Sequence, residues 1–308
     1  MNIAVVFPGQ GSQNKDMADS FSDVSSFNDV IDQGSEILKY DVREAIKNEQ
    51  KINDTIYTQP LMLTVSYAMW DMLIKKTGIR ANIGAGHSLG EYTALVANNT
   101  ISFRDALKLV KKRAEFMSSA MVDVDGAMAA VIGLDGNKVS DICKEASRDG
   151  AIIEAVNFNC PGQTVIAGHT LAVEDITTVL KTSGAKIVKK LPVSLAAHTS
   201  LLKSVSNDLR DELKGINFNI DNSFDVIHNY DLSVSKNEER FIDCLSMQVC
   251  SPVRWIETMQ TFKSNDISDV IEVGPGNVLQ GLVKSFDKTL RIHSFSNIED
   301  INSIKQVL

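Results

Sequence analysis

No two cysteines in this chain are spaced to hold a metal. Cys143, Cys160, Cys244 and Cys250 make no Cys-x-x-Cys and have no histidine at ligand spacing. A structural zinc is therefore not expected, and the four read as free thiols in a reducing compartment. Basic residues are not in excess either: 31 Lys and Arg against 39 Asp and Glu leave a formal charge of -8. That balance argues against general binding to nucleic acid or an anionic membrane, and it leaves room for a local basic patch. Long apolar runs are missing. The most hydrophobic helical stretch, "LMLTVSYAMWDMLI", is broken by Thr, Ser and Asp and is too short to span a bilayer. The opening "MNIAVVFPGQGSQ" has no basic leader before its short apolar run, so it reads as a first strand of a soluble, cytoplasmic protein. No internal repeat or low-complexity tract interrupts the chain.

What is present is ample material for a core: 308 residues, 44% hydrophobic and 23% charged. One elaborated α/β domain, or one domain carrying an insertion, fits that length. After the first strand come helical, polar-rich segments to about residue 48, and "KNEQKIND" reads as a solvated loop. A long helix is predicted from Thr58, with Pro60 in its first turn and Gly78 just past its end. The next stretch, "IGAGHSLGEYTALVAN", turns from strand to helix, and helix, strand, elbow, helix is the order of a parallel, doubly wound sheet. Between about 127 and 191 the pattern becomes strand, helix, strand, strand, helix, strand. This βαββαβ run is the ferredoxin-like unit, expected as a small insertion. Thereafter the chain resumes with a helix after His198, a strand at "FDVIHN", helices from about Glu238 and after Pro252, the strand "DVIEVG", a helix from Val278 and the strand "RIHSF".

A strand that bends into a helix through Gly86-x-Ser88-x-Gly90 lifts the serine out of the backbone and points the next amides and the helix N-terminus beside it. Ser88 is open to two readings at this point, a tight-turn serine or a nucleophile awaiting a base. His87 is its neighbour, but adjacent residues in an elbow point apart. His198 precedes a helix marked by Leu201, Leu202, Val205 and Leu209, where the dipole disfavours a charged imidazole; it is a capping or surface histidine, or a neutral base. On "SFRDALKLVKKRAEFMSSAM", Ser102 and Asp105 form a capping box, and Ala106, Leu109, Val110, Met117 and Ala120 make one apolar stripe. Arg113 falls in the middle of that stripe at about 100° per residue. A buried guanidinium needs an anion, either an internal Asp or Glu or the carboxylate of a substrate gripped by the arginine fork. The loop "FPGQGS" should lie near the elbow on the same sheet edge, where its amides join that of Leu89 as oxyanion donors. Phosphate binding is the rival reading, but the third glycine and the Gly-Lys-Ser/Thr ending of the nucleotide fingerprints are absent. Gln248 ends a helix just before Ser251 caps the next, so its carbonyl is a candidate to orient a histidine.

Together "FPGQGSQ", "GHSLGEY", the Arg113 helix, "VSLAAH", "MQVCSPVRW" and "IEVGPG" resemble, in order and spacing, the malonyl-CoA:acyl carrier protein transacylases of dissociated fatty-acid synthesis. The resemblance runs from residue 3 to about 295. It implies an α/β-hydrolase-like large domain with a mostly parallel sheet, 1–125 and 196–308, and the ferredoxin-like unit at 126–195. It also implies that Ser88 attacks a malonyl thioester, His198 serves as base and then acid, and the amides of Gln10 and Leu89 hold the oxyanion. Arg113 would grip the malonyl carboxylate, and the Gln248 main-chain carbonyl would orient His198. No cofactor and no metal are implied. The implied partners are malonyl-CoA and acyl carrier protein, with no nucleic acid or membrane and a monomeric enzyme. Lys181, Lys186, Lys189 and Lys190 are candidates for docking the acidic carrier. Ala196 and Ala197 stand where relatives often carry bulkier residues, and Asn277 where lysine is frequent. Transfer of another malonyl-type unit in polyketide synthesis, and a serine thioesterase, are the alternatives. A catalytically silent acyl-binding protein is disfavoured because Ser88, His198 and Arg113 are all present.

Overall fold

Short apolar stretches build two separate sheets in the computed structural model, which describes residues 2–193 and 195–306. Met1, Ser194 of "VSLAAH", Val307 and Leu308 lie outside the described residues, and with them the outer ends of the expected segments. In chain order the strands are β1 (Ile3–Phe7), β2 (Ile83–Gly86), β3 (Gly126–Ile132), β4 (Ile153–Cys160), β5 (Gln163–His169), β6 (Ile187–Lys190), β7 (Asp225–Ile227), β8 (Asp269–Val273) and β9 (Arg291–Phe295). The larger sheet runs β7-β2-β1-β8-β9 with every pairing parallel. Its central strands β1 and β8 are buried throughout, as expected of a parallel sheet covered by helices on both faces. The chain steps from β1 to β2 on one side and later to β8 on the other, so the carboxyl ends around β1 open a crevice.

The smaller sheet, β4-β5-β3-β6, is antiparallel and built from the βαββαβ run. Its strands alternate by face. Ala127, Ala129, Val131, Ile153 and Ile166 pack under the helices Gly136–Ala146 and Thr170–Thr182, whereas Met128, Val156, Val165 and Ala167 join the core of the larger unit. The seam is also hydrogen-bonded, with Phe158 N donating to Val253 O (3.0 Å) and Val253 N to Val156 O (2.8 Å). We propose 126–195 as a unit on this basis, since its helix face makes a core of its own.

Cap chemistry changes two of the expected elements. "KNEQKIND" is not a loop but a helical turn, Glu49–Asn53, because the Asn48 side chain accepts from the amides of Gln50 and Lys51 while Ile52 is buried. The long helix starts at Thr55 instead of Thr58, because Asp54 caps it through Ile56 N; Pro60 therefore lies inside the helix Thr55–Thr77 and not in its first turn. The helix Phe103–Ala120 does bury Arg113, which is 1% exposed, among Val110, Ala114 and Met117.

Candidate active site

The elbow is dictated by contact distances that admit no side chain. A Cβ on Gly86 would lie 1.9 Å from the Gly90 carbonyl carbon, and one on Gly90 would lie 2.1 Å from the Phe7 oxygen. The bend can therefore press against β1, and Ser88 at its tip is held at φ 53°. A left-handed serine costs roughly 1–2 kcal/mol and persists only where its neighbours over-determine it. Here Ser88 N donates to Asn229 Oδ1 (2.7 Å), and Ser88 O accepts from Gln248 Nε2 (3.0 Å). Asn229 is fixed in turn by donating to Gly86 O at 2.8 Å. The loop after β1 lies against the same bend, since a Cβ on Gly9 would come 2.5 Å from His87 O. Among the described residues, neither the Gln10 nor the Leu89 main-chain amide is taken by an acceptor of the protein.

His198 reaches the elbow from the opposite side. Its Nε2 is 2.7 Å from Ser88 Oγ, and its Nδ1 is 2.8 Å from the Gln248 main-chain oxygen. A carbonyl only accepts, so Nδ1 carries the proton and Nε2 presents its lone pair to the serine hydroxyl. His198 is not a helix cap: it sits at φ 65°, two residues before the 3-10 turn Ser200–Leu202, with its own amide donating to Val249 O (3.0 Å). Ser251 is not a cap either, because the next helix, Trp255–Ser264, begins after Arg254. What leaves the Gln248 carbonyl facing the ring is the end of the helix Glu238–Gln248.

Burial, reinforced by the Arg113 cation, pushes the His198 imidazole down to about 3. The neutral form that accepts a proton is thus present at every ordinary pH. The rate constant for reaction of Ser88 with a neutral active ester is expected to stay level from about pH 8 to about pH 5, without the loss near 6.5 of an unperturbed histidine. Stopped-flow acylation across that range checks it; a break near 6.5 would contradict the depressed value. Stability carries the opposite sign. Below about 6.5 the unfolded chain takes up a proton that the folded one refuses until about 3, so this residue lowers stability as pH falls through that window.

Arg113 completes the cluster. Its Nη1 donates to Gln59 Oε1 (2.6 Å), and its Nη2 to Ser88 Oγ and Gln248 Oε1, both at 3.2 Å. The guanidinium lies 5.5 Å from the centroid of the Tyr92 ring, whose hydroxyl burial pushes up to about 12, so the ring is neutral. Arg113 enters no ion pair with any described residue, and its Nε has no partner among them. Every described group that touches this buried cation is uncharged, and the Glu91 carboxylate stands off across the Gln248 amide, so the guanidinium is left unpaired toward the cavity. That cavity, about 720 Å³, lies between the two units; Gln10, Ser88, Arg113 and His198 open into it beside Met117, Met128 and Leu195. His87 is directed elsewhere, with its Nε2 2.8 Å from Asn159 Oδ1 and its ring against Trp255.

Four residues with a part in this geometry were not anticipated: Gln59, Glu91, His228 and Asn229. Glu91 is fully buried and holds His228 Nδ1 (2.6 Å), Asn229 N (3.0 Å) and Gln248 Nε2 (2.6 Å). The available signal was the polar pair His228-Asn229 directly after the apolar β7, at the sheet edge where the elbow lies.

The chain is similar to proteins of known class over nearly its whole length. The family model described as "Acyl transferase domain" matches residues 4–304. The malonyl CoA-acyl carrier protein transacylase of Escherichia coli (strain K12) is 39% identical over 291 residues, 94% of each chain. That of Staphylococcus aureus (strain MW2) is 36% identical over 301 residues, 97% of this chain and 96% of the relative. Among solved structures, the acyl-carrier-protein S-malonyltransferase of Burkholderia pseudomallei 1710b superposes with a TM-score of 0.95 at 41% identity, covering 99% of this chain and 100% of that one. A malonyl-transacylase solved in complex with its type II PKS acyl-carrier protein superposes at 0.97 with 35% identity over the whole of both chains.

Proposed function

This chain belongs to the acyl transferase family, among its malonyl CoA-acyl carrier protein transacylases, and from that premise we propose how its own residues move a malonyl group. The enzyme transfers malonyl from malonyl-CoA to the phosphopantetheine thiol of acyl carrier protein, in fatty-acid synthesis. In our reading His198 Nε2 takes the Ser88 Oγ proton as that oxygen attacks the thioester carbonyl. The Gln10 and Leu89 amides receive the oxyanion, worth about 2.7–4 kcal/mol per donor in comparable sites. His198 then protonates the departing CoA thiolate, leaving a malonyl ester on Ser88. The carrier thiol reverses the sequence in a ping-pong cycle.

The observation that carries this reading is that Arg113, 3.2 Å from the nucleophile, touches no carboxylate among the described residues. In a malonyl group one methylene separates the thioester carbonyl from the carboxylate, so an acyl carbon at Ser88 brings that carboxylate to the guanidinium. A hydrolase triad is disfavoured, because Nδ1 of His198 meets a carbonyl where a thioesterase would place a carboxylate. For the carrier, Lys189 and Lys190 end β6 directly before Leu191 and Pro192 at the cavity wall; they are the better placed of the four lysines, and Lys190 is already paired with Glu174. A cytoplasmic location belongs to this reading; no helix among the described residues is long and apolar enough to cross a membrane.

The test is an intact-mass pulse and chase. Malonyl-CoA should add one malonyl mass to the enzyme, and holo-carrier should remove it to itself. An adduct that forms but passes to water, carrier or no carrier, would argue for a hydrolase.

A further inference from the structure

Deepening that reading, on which it rests, we propose that Glu91 is a positioning residue for the reaction: it sets the direction of the Gln248 side-chain amide and, through it, of the Arg113 fork. Glu91 sits in the first turn of the helix Gly90–Ala97, fully buried. Its Oε1 faces His228 Nδ1, and its Oε2 faces Asn229 N and Gln248 Nε2, so both oxygens meet donors. A carboxylate in such a setting only accepts, which obliges Gln248 to turn its NH2 inward. The second hydrogen of that NH2 goes to the Ser88 carbonyl at 3.0 Å, and the amide oxygen is left facing Arg113 Nη2 at 3.2 Å. Turning the amide over would set NH2 against guanidinium and oxygen against both carboxylate and carbonyl. One side chain thus receives its orientation from Glu91 and passes it to Arg113, while the main chain of the same residue holds His198.

The electrostatic consequence follows from the spacing. Glu91 attracts the buried cation across one amide instead of pairing with it, so the charge is held in place without being cancelled. A direct Glu–Arg pair here would occupy the fork that a dicarboxylic monoester needs. His228, braced by Ser235 Oγ at 2.7 Å, fixes Glu91 from the far side.

Glu91→Gln tests this, because it replaces the charged acceptor of Gln248 Nε2 by a neutral amide oxygen that must also meet Asn229 N, which weakens the hold on the Gln248 amide. Single-turnover acylation of Ser88 is followed by intact mass with two donors, malonyl-CoA and acetyl-CoA, which lacks the distal carboxylate. Malonylation is expected to slow about 10- to 30-fold and acetylation by less than about threefold. Gln248→Met keeps the main-chain carbonyl but also removes the donor to Ser88 O, so it should slow both donors, malonyl-CoA the more by the same ratio, and the double variant should show no larger ratio than the single ones. Equal loss for both donors in variants that melt cooperatively would make Glu91 a scaffold residue and overturn the proposal, as would unchanged malonylation. Should Glu91→Gln not fold, Gln248→Met decides by the same ratio. Absence of a malonyl adduct on the wild type would instead refute the functional reading itself.

Discussion

Ser88→Ala is expected to abolish the malonyl adduct and to lower transfer to carrier by about 10⁴-fold or more, the scale of losing a nucleophile from a cluster that works as a unit. No neighbour can substitute. The hydroxyl is set by the positive φ of the bend, lies 2.7 Å from His198 Nε2, and accepts from Arg113 Nη2 at 3.2 Å. On the proposed reading the remaining Gln10 and Leu89 amides and the Arg113 cation would still bind substrate but have no covalent step to accelerate, so a slow background without burst should remain. The substitution removes one atom from a position whose backbone is held by Asn229 and Gln248, and the melting temperature should change little. An adduct of undiminished yield in this variant would place the nucleophile elsewhere.

Arg113→Ala should slow malonylation by about 10²- to 10⁴-fold, because the two charge-assisted hydrogen bonds proposed to the distal carboxylate, each worth about 1.5–3 kcal/mol, would be lost together. Acetylation should fall far less, so the preference for malonyl-CoA collapses. Lysine should rescue only in part: it restores the charge but cannot contact carboxylate and amides in one plane. The alanine variant also leaves Gln59 Oε1 and Gln248 Oε1 without their donor in a buried space, so its melting temperature should drop. A loss shared equally by both acyl donors would mean that Arg113 supports the fold and does not read the acyl end.

Elements with a strong period or punctuation were legible in advance. The βαββαβ order of the small sheet and the Gly-x-Ser-x-Gly bend both express local rules, and Arg113 in an apolar helical stripe signals a buried charge. The errors came where a cap or a partner decides. Asn48 and Asp54 turned an apparent loop and a late helix start into two capped helices, and nothing in "KNEQKIND" announces that Ile52 has a core to enter. His198 has a left-handed backbone and donates its main-chain N–H to the distant Val249 O, which no local propensity foretells. Gln59, Glu91 and Asn229 were missed for one reason: each acts on a residue far away in the chain, and a buried amide or carboxylate shows its role only once its partners are in place.

The buried, unpaired guanidinium beside Ser88 is the claim on which the rest depends, and a crystal structure of the enzyme trapped with its acyl group on Ser88 tests it most directly. The account predicts a malonyl ester whose distal carboxylate bridges both terminal nitrogens of Arg113, with the guanidinium drawn off Ser88 Oγ and His198 Nδ1 still on the Gln248 carbonyl. A carboxylate turned toward the cavity mouth, with Arg113 still spent on Gln59 and Gln248, would contradict it.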